Sequence, residues 1–146
     1  MRIGLFLLLA LFLASGAAEA RNTEYHLAVA DVLHAADTQQ KLGNDVAFYF
    51  GKQSTPSVAQ RLGDYVTNRK SNSFGRPDQE ACQRAMLDAL IALRDRAKEL
   101  GGNAVIDIVS YYKKDAASSE TDYECHAGGF VAGVALKGTV VKLSGR

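Results

Sequence analysis

The sequence predicts an α+β fold with the element order β-β-α-β-β, in which one long helix packs on an antiparallel sheet. Residues 78–100 carry apolar side chains at helical spacing, runs rich in β-forming residues precede and follow them, and polar or glycine-rich stretches separate these segments. The chain has 146 residues, of which 47% are hydrophobic, and this is enough for one domain with a core.

Residues 1–20 predict a signal peptide. A basic residue precedes an apolar run over residues 3–14, and Ala18 and Ala20 supply the small side chains that a signal peptidase recognises. The run is shorter than the roughly 20 residues that span a bilayer. We therefore expect cleavage after Ala20, a single exported domain over residues 21–146 located in the periplasm, and no membrane span.

Two strands are expected at the start of this domain. Residues 25–33 alternate in hydrophobicity, and residues 45–50 are dense in β-formers and stop at Gly51. The polar segment 37–44 predicts a bend between them, so the two strands are candidates for a hairpin with a long connection.

Residues 52–76 predict a loop, because proline, glycine and polar residues interrupt any periodicity; a short strand is expected only near residues 65–66. Arg69, Lys70 and Arg76 form a basic cluster within this loop. The cluster is either a solvated surface or a contact for an anion or a partner, and the sequence leaves both open.

The helix over residues 78–100 is the clearest element. Asp78 is expected as its N-cap, and Gly101 and Gly102 are expected to end it. The small and apolar residues that would face a sheet are Ala81, Cys82, Ala85, Met86, Ala89, Leu90, Leu93, Ala97 and Leu100.

Strands are expected again after the helix. Residues 103–112 are apolar on both faces, which predicts a central strand, and residues 113–121 predict a polar loop. Residues 122–143 predict one long strand or two collinear ones. Glycines within this last segment indicate bulges or close approach of the helix: Gly128, Gly129, Gly133 and Gly138.

The two cysteines, Cys82 and Cys125, are most simply one disulfide in an oxidising compartment. The alternative is a metal-binding or redox pair, which usually shows a closer spacing such as C-x-x-C. The wide separation favours the disulfide.

Motifs for nucleotide chemistry and hydrolysis are missing from the sequence. The glycine-rich stretch 128–133 is followed by Val134 and Ala135, where a phosphate loop needs Lys and Ser or Thr. No G-x-S-x-G or H-E-x-x-H occurs, so no catalytic residue is assigned and the chain is expected not to be an enzyme. A net charge of +1 does not indicate binding to nucleic acid, which usually requires a strongly basic surface, so no nucleic-acid partner is expected.

The histidines are the remaining candidates for metal binding. His26 and His34 lie at opposite ends of the expected first strand, too far apart to share an ion. Cys125 and His126 are adjacent, but neighbours on a strand point to opposite faces. We therefore expect no metal and no cofactor, with His126 as the one candidate ligand.

Several segments resemble known proteins: residues 97–108 (AKELGGNAVIDI), residues 123–127 (YECHA) and the Gly/Ala-rich run 131–143. The chain resembles small exported proteobacterial proteins of unknown function, some labelled "excinuclease ATPase subunit". It more remotely resembles the YbjQ-type domain, once called heavy-metal-binding, and its relative RcsF, an envelope-stress lipoprotein. The resemblance implies an α+β domain with a helix on the sheet, and it also favours a bridge between Cys82 and Cys125.

Two departures from these proteins bear on function. The chain lacks a lipid-bearing cysteine, and it has two cysteines where the lipoprotein has four in this domain. The excinuclease label has no support in the residues either, because the sequence has neither a phosphate loop nor a zinc-type cysteine pattern. The sequence therefore predicts a non-catalytic periplasmic domain that binds an envelope protein or component. The alternative is a metal- or small-ligand-binding domain of the YbjQ type.

Overall fold

A computed structural model describes residues 20–146 and confirms the α+β class: a curled sheet of six strands carries one helix of 22 residues. The expected signal peptide lies almost entirely outside the described residues. Within residues 20–146, no helix combines the length and the apolar character that crossing a membrane requires. In chain order the elements are β1 (Thr23–Ala28), α1 (Val29–Leu33), α2 (Ala36–Leu42), β2 (Ala47–Phe50), β3 (Val58–Asn72), α3 (Asp78–Glu99), β4 (Ala104–Ser110), a 3₁₀ turn (Tyr112–Lys114), β5 (Asp122–Ala127) and β6 (Val131–Leu143).

Strand β6 is the centre of the sheet. Strand β3 pairs with it along its whole length on one side, while β5 and β4 share the other side. Strand β1 then pairs with β5, and β2 pairs with β4. The β2–β4 pair is parallel, so the sheet is mixed and not purely antiparallel as the sequence predicted.

The prediction of a hairpin between the first two strands was wrong. Strand β1 ends at Ala28, and α1 and α2 replace the rest of the predicted strand and the predicted bend. The reason is a change of period: Val29 and Val32 are buried three residues apart, and Thr38 and Leu42 four apart, which is helical spacing.

Residues 58–72, predicted as a loop, form the long strand β3. Most of its side chains are exposed, because β3 lies at an edge of the sheet and only residues such as Leu62, Tyr65 and Thr67 pack inward. An edge strand of this kind lacks the apolar alternation that signals a strand in sequence. The backbone pairing with β6 holds it, from Val58 opposite Leu143 to the end of the strand.

Helix α3 is confirmed, and its predicted apolar stripe is buried against the sheet. Its C-terminus is the expected glycine cap: Gly101 has φ +75°, and Gly102 N–H donates to Ala97 O at 2.8 Å. Its N-terminus differs from the prediction. Pro77 occupies the N-cap and Asp78 is the first helical residue, with its carboxylate turned to other partners.

The predicted central strand is confirmed as β4, which lies between β6 and β2. Its two faces enter separate clusters: Val105 and Ile108 join the main core beneath α3, while Ala104 and Ile106 join a small cluster on the opposite face. Residues 122–143 are two antiparallel strands joined by a tight turn, and not collinear ones, because His126 pairs with Gly133.

Two glycines of the last segment, Gly128 and Gly138, are required by close contacts with other strands or backbone, and not by the approach of α3. A Cβ on Gly138 would lie 2.7 Å from Val105 Cγ1, where the bulge at Asp107 presses β4 onto β6. A Cβ on Gly128 would lie 2.9 Å from Arg21 O. Gly133, by contrast, has room for a side chain, with no atom closer than 3.8 Å.

Cys82 on α3 and Cys125 on β5 lie at disulfide distance, with sulfurs 2.10 Å apart and Cα atoms 5.9 Å apart. Both residues are fully buried. The pair therefore joins the helix to the sheet from inside the core.

We predict that changing both Cys82 and Cys125 to alanine lowers the free energy of unfolding by about 3–4 kcal/mol, because the unfolded chain loses a cross-link across 43 residues. Urea unfolding measures this difference. Thiol titration of denatured wild-type protein, purified without reductant, should find no free thiol. Two reactive thiols, or an unchanged urea midpoint, would contradict the bridge.

A second prediction separates two glycines of β6. Gly138→Ala should cost about 1–3 kcal/mol of unfolding free energy, since the methyl group overlaps Val105. Gly133→Ala is the matched control, and it should change stability by less than about 1 kcal/mol because its site is open. Thermal or urea unfolding of the two variants provides the comparison, and equal costs would refute this assignment.

Candidate functional site

Strands β1 and β5 place four titratable side chains on the sheet face opposite α3. Their register sets Glu24 opposite His126 and His26 opposite Glu124. Residues that face each other across an antiparallel pair project from the same face, and so do residues two apart on one strand. We call Glu24, His26, Glu124 and His126 the Glu–His cluster.

The donor atoms of this cluster are close together. His126 Nε2 lies 2.5 Å from Glu124 Oε1, and His26 Nε2 lies 2.8 Å from Glu24 Oε1. One ligand atom from each of Glu24, Glu124 and His126 falls within 4.8 Å of the other two. Three donors at this separation are compact enough to converge on one ion.

Burial divides the cluster into an inner and an outer pair. The side chains of His126 and Glu124 are 10% and 12% exposed, whereas those of Glu24 and His26 are 51% and 57% exposed. The inner pair is therefore held by the protein, and the outer pair meets solvent. This arrangement gives a ligand from solution access to buried donors.

Tyr112 covers the inner pair. Its ring stacks on His126, with centroids 3.4 Å apart and planes 13° apart. His126 Nδ1 has no hydrogen-bond partner among the described residues, so the stack with Tyr112, together with the Glu124 contact, fixes the ring. The 3₁₀ turn that presents Tyr112 is conformationally strained, since Lys113 and Lys114 have φ +50° and +65°.

The two carboxylates of the cluster have no permanent positive charge beside them. Within the described chain, Glu124 is paired with His126 and Glu24 with His26, and neither makes an ion pair with lysine or arginine. Carboxylates that share a site repel each other, and a bound cation relieves that repulsion. The electrostatics of the cluster therefore favour a cation.

Of the four residues in the cluster, the sequence pointed only to His126. Cys125 does not join it as a ligand, because Cys125 points to α3 and lies at disulfide distance from Cys82. The overlooked signal is a repeated E-x-H, at Glu24–His26 and at Glu124–His126. Such spacing puts two donors on one strand face, but only the β1–β5 register brings the two repeats together.

The predicted basic cluster does not form a single patch. Arg69 and Lys70 are consecutive on β3 and project to opposite faces of the sheet. Arg76 lies beyond the strand, with its guanidinium 3.9 Å from Glu80. All three residues nevertheless lie at one end of the molecule, where β3 ends and α3 begins.

A shallow cavity of about 440 Å³ lies between the α1–α2 segment and α3. Its lining includes charges of both signs, such as Asp31, Lys41, Glu80, Arg84 and Asp88. Cofactor sites are usually apolar with a few convergent polar groups. The charged lining of this cavity does not fit that pattern.

Tyr123 lies in the core between β5 and α3, and the residue is 1% exposed. Burial raises its pKa above the ordinary value, and the negative charge of Asp31 raises it further. The hydroxyl therefore stays protonated at neutral pH. Its position in the core separates it from the Glu–His cluster on the opposite face.

A charged network ties the start of the domain to α3. The Arg21 guanidinium donates to both oxygens of Asp78, at 2.6 and 3.0 Å, and to Gly128 O at 2.8 Å. The Tyr25 hydroxyl donates to Asp78 at 2.7 Å. These hydrogen bonds, first from Arg21 and then from Tyr25, lower the pKa of Asp78 to about 2.

No protein-family model, curated protein or solved structure matches this chain.

We predict a pH dependence of stability from Asp78. Its pKa in the folded protein, about 2, lies below its ordinary value of 3.8, so the network stabilises the fold above pH 3.8. That contribution is lost as the pH falls towards 2. Arg21 is 47% exposed, so solvent screens the charge pair and keeps this contribution small.

Asp78→Asn should therefore lower the melting temperature at neutral pH, and the difference from wild type should vanish near pH 2. Asp88→Asn, an exposed position on the same helix, is the control and should leave the melting curve unchanged. A difference that persists undiminished at low pH would contradict the role of the Asp78 charge.

Proposed function

We propose that this chain is an exported, non-catalytic domain that binds a divalent transition-metal ion through Glu24, Glu124 and His126. The observation that carries the proposal is the convergence of three donor atoms within 4.8 Å, two of them on nearly buried side chains. Among the alternatives that the sequence left open, this observation favours the metal-binding one.

The donor types support an ion of the zinc class. Imidazole and carboxylate together suit zinc and its first-row neighbours, whereas calcium and magnesium prefer all-oxygen sites. Three protein donors leave a coordination position for water or a small ligand. His26, which contacts Glu24 from the solvent side, is placed to orient that carboxylate.

The scaffold supports a preorganised site. Both inner donors flank Cys125, which lies at disulfide distance from Cys82 on α3, so strand β5 is tied to the helix between the two ligands. Tyr112 restricts the His126 ring from above. Donors held on paired strands lose little freedom when an ion binds, and this strengthens binding.

Export to the periplasm belongs to the same proposal. It rests on the predicted cleavage after Ala20 and on a cysteine pair at disulfide distance. Arg21, the first residue after that cleavage, already makes specific contacts in the fold. The likeness to YbjQ-type domains remains a resemblance in sequence.

Isothermal titration with zinc, on protein stripped by a chelator, tests the proposal. We expect one ion per chain with a dissociation constant in roughly the micromolar range. Glu124→Gln should weaken binding about tenfold or more, because it replaces a charged ligand by a neutral amide of the same shape. Zinc should also raise the melting temperature of wild-type protein.

His34→Gln is the matched control, since His34 is an exposed histidine at the end of α1, outside the cluster. Its zinc affinity should equal that of wild type. If Glu24→Gln and Glu124→Gln both bind zinc as tightly as His34→Gln does, or if the wild type takes up none, the proposed site is wrong.

A further inference from the structure

An exposed aromatic pair marks one end of the molecule. Phe74, in the β3–α3 loop, and Phe130, in the β5–β6 turn, stack with ring centroids 5.5 Å apart and planes 9° apart. They remain 66% and 71% exposed, and the adjacent Val131 is 45% exposed. We call Phe74, Phe130 and Val131 the aromatic tip.

The tip is built into the fold and is not a by-product of a loose loop. Ser73 N–H donates to Phe130 O at 2.9 Å, and Ser73 Oγ donates to Gly128 O at 2.8 Å. Gly128 N–H closes the turn by donating to Val131 O at 2.8 Å. These bonds hold two apolar rings exposed to water, where the rings gain no free energy from burial.

Cationic side chains lie near the base of the tip. Lys70 and Arg69 on β3 pair with Gly133 and Val134, two and three residues after Val131, and Arg76 lies two residues after Phe74. Among the described residues Arg69 and Lys70 make no ion pair, whereas Arg76 lies 3.9 Å from Glu80. Two cations without a carboxylate partner in the described chain, Arg69 and Lys70, therefore lie near the exposed rings.

We propose that the aromatic tip docks on an anionic phospholipid surface, with Phe74 and Phe130 entering the interfacial layer and the nearby cations meeting lipid phosphates. Exposed rings on two neighbouring loops can enter a soft interface without needing a matching pocket, and the cations near them complement negative headgroups. This goes beyond metal binding, and it gives the expected envelope component a chemical identity.

Vesicle binding of the processed protein, identified by a mass that begins at Arg21, tests the proposal. The protein should co-sediment with vesicles of phosphatidylcholine and phosphatidylglycerol, and much less with phosphatidylcholine alone. Raised salt should weaken binding. Phe74→Ser combined with Phe130→Ser should reduce partitioning about tenfold or more, since the apolar contribution is removed.

Val58→Ser is the matched control, because Val58 is an exposed apolar residue at the opposite end of β3. It should bind vesicles as wild type does. Circular dichroism of all variants should match wild type, because the changed side chains are exposed.

A fluorescent reporter gives a second readout, because the chain contains no tryptophan. Phe130→Trp should show a blue-shifted emission on anionic vesicles, and Val58→Trp should not shift. Binding that ignores lipid charge, or that survives loss of both rings, would overturn the proposal. So would an unshifted Phe130→Trp spectrum, or capture of a protein through the rings without any lipid binding.

Discussion

The alternation of side chains along strand β5 is the constraint on which the rest of the molecule depends. Tyr123, Cys125 and Ala127 point to α3 and are buried, whereas Glu124 and His126 point to the opposite face. The first set joins the helix to the sheet through the core. The second set forms the inner half of the Glu–His cluster. A register shift of one residue would therefore destroy the core and the cluster together.

Helix α3 could be predicted from local features of the sequence, whereas much of the sheet could not, because its strands pair with distant parts of the chain. The alanine-rich stripe and Gly101 act within a few residues, so the helix and its end were predicted correctly. Strand β3 was missed because its outward side chains are polar and its partner lies far along the chain. The parallel pairing of β2 with β4 also could not be predicted from a local sequence pattern.

The candidate site was predictable only in part, for the same reason. His126 could be predicted as a candidate ligand because it is a histidine beside a cysteine. That Cys125 and His126 point to opposite faces follows from the alternation of side chains along a strand. Glu24 could not be assigned, since it lies about a hundred positions earlier and meets His126 only through the β1–β5 ladder. Asp78 was taken for a helix cap because a residue's type reveals its propensity but not its distant partner, Arg21.

The central position of β6 has a consequence for biogenesis. This strand follows the other strands of the sheet in the chain, yet β3, β4 and β5 all pair with it. The sheet therefore cannot close until β6 has left the ribosome, and pairing of distant segments is intrinsically slow. A nascent chain of this topology stays open during synthesis. That delay fits the export proposed above, since an exported polypeptide crosses a narrow channel before it folds.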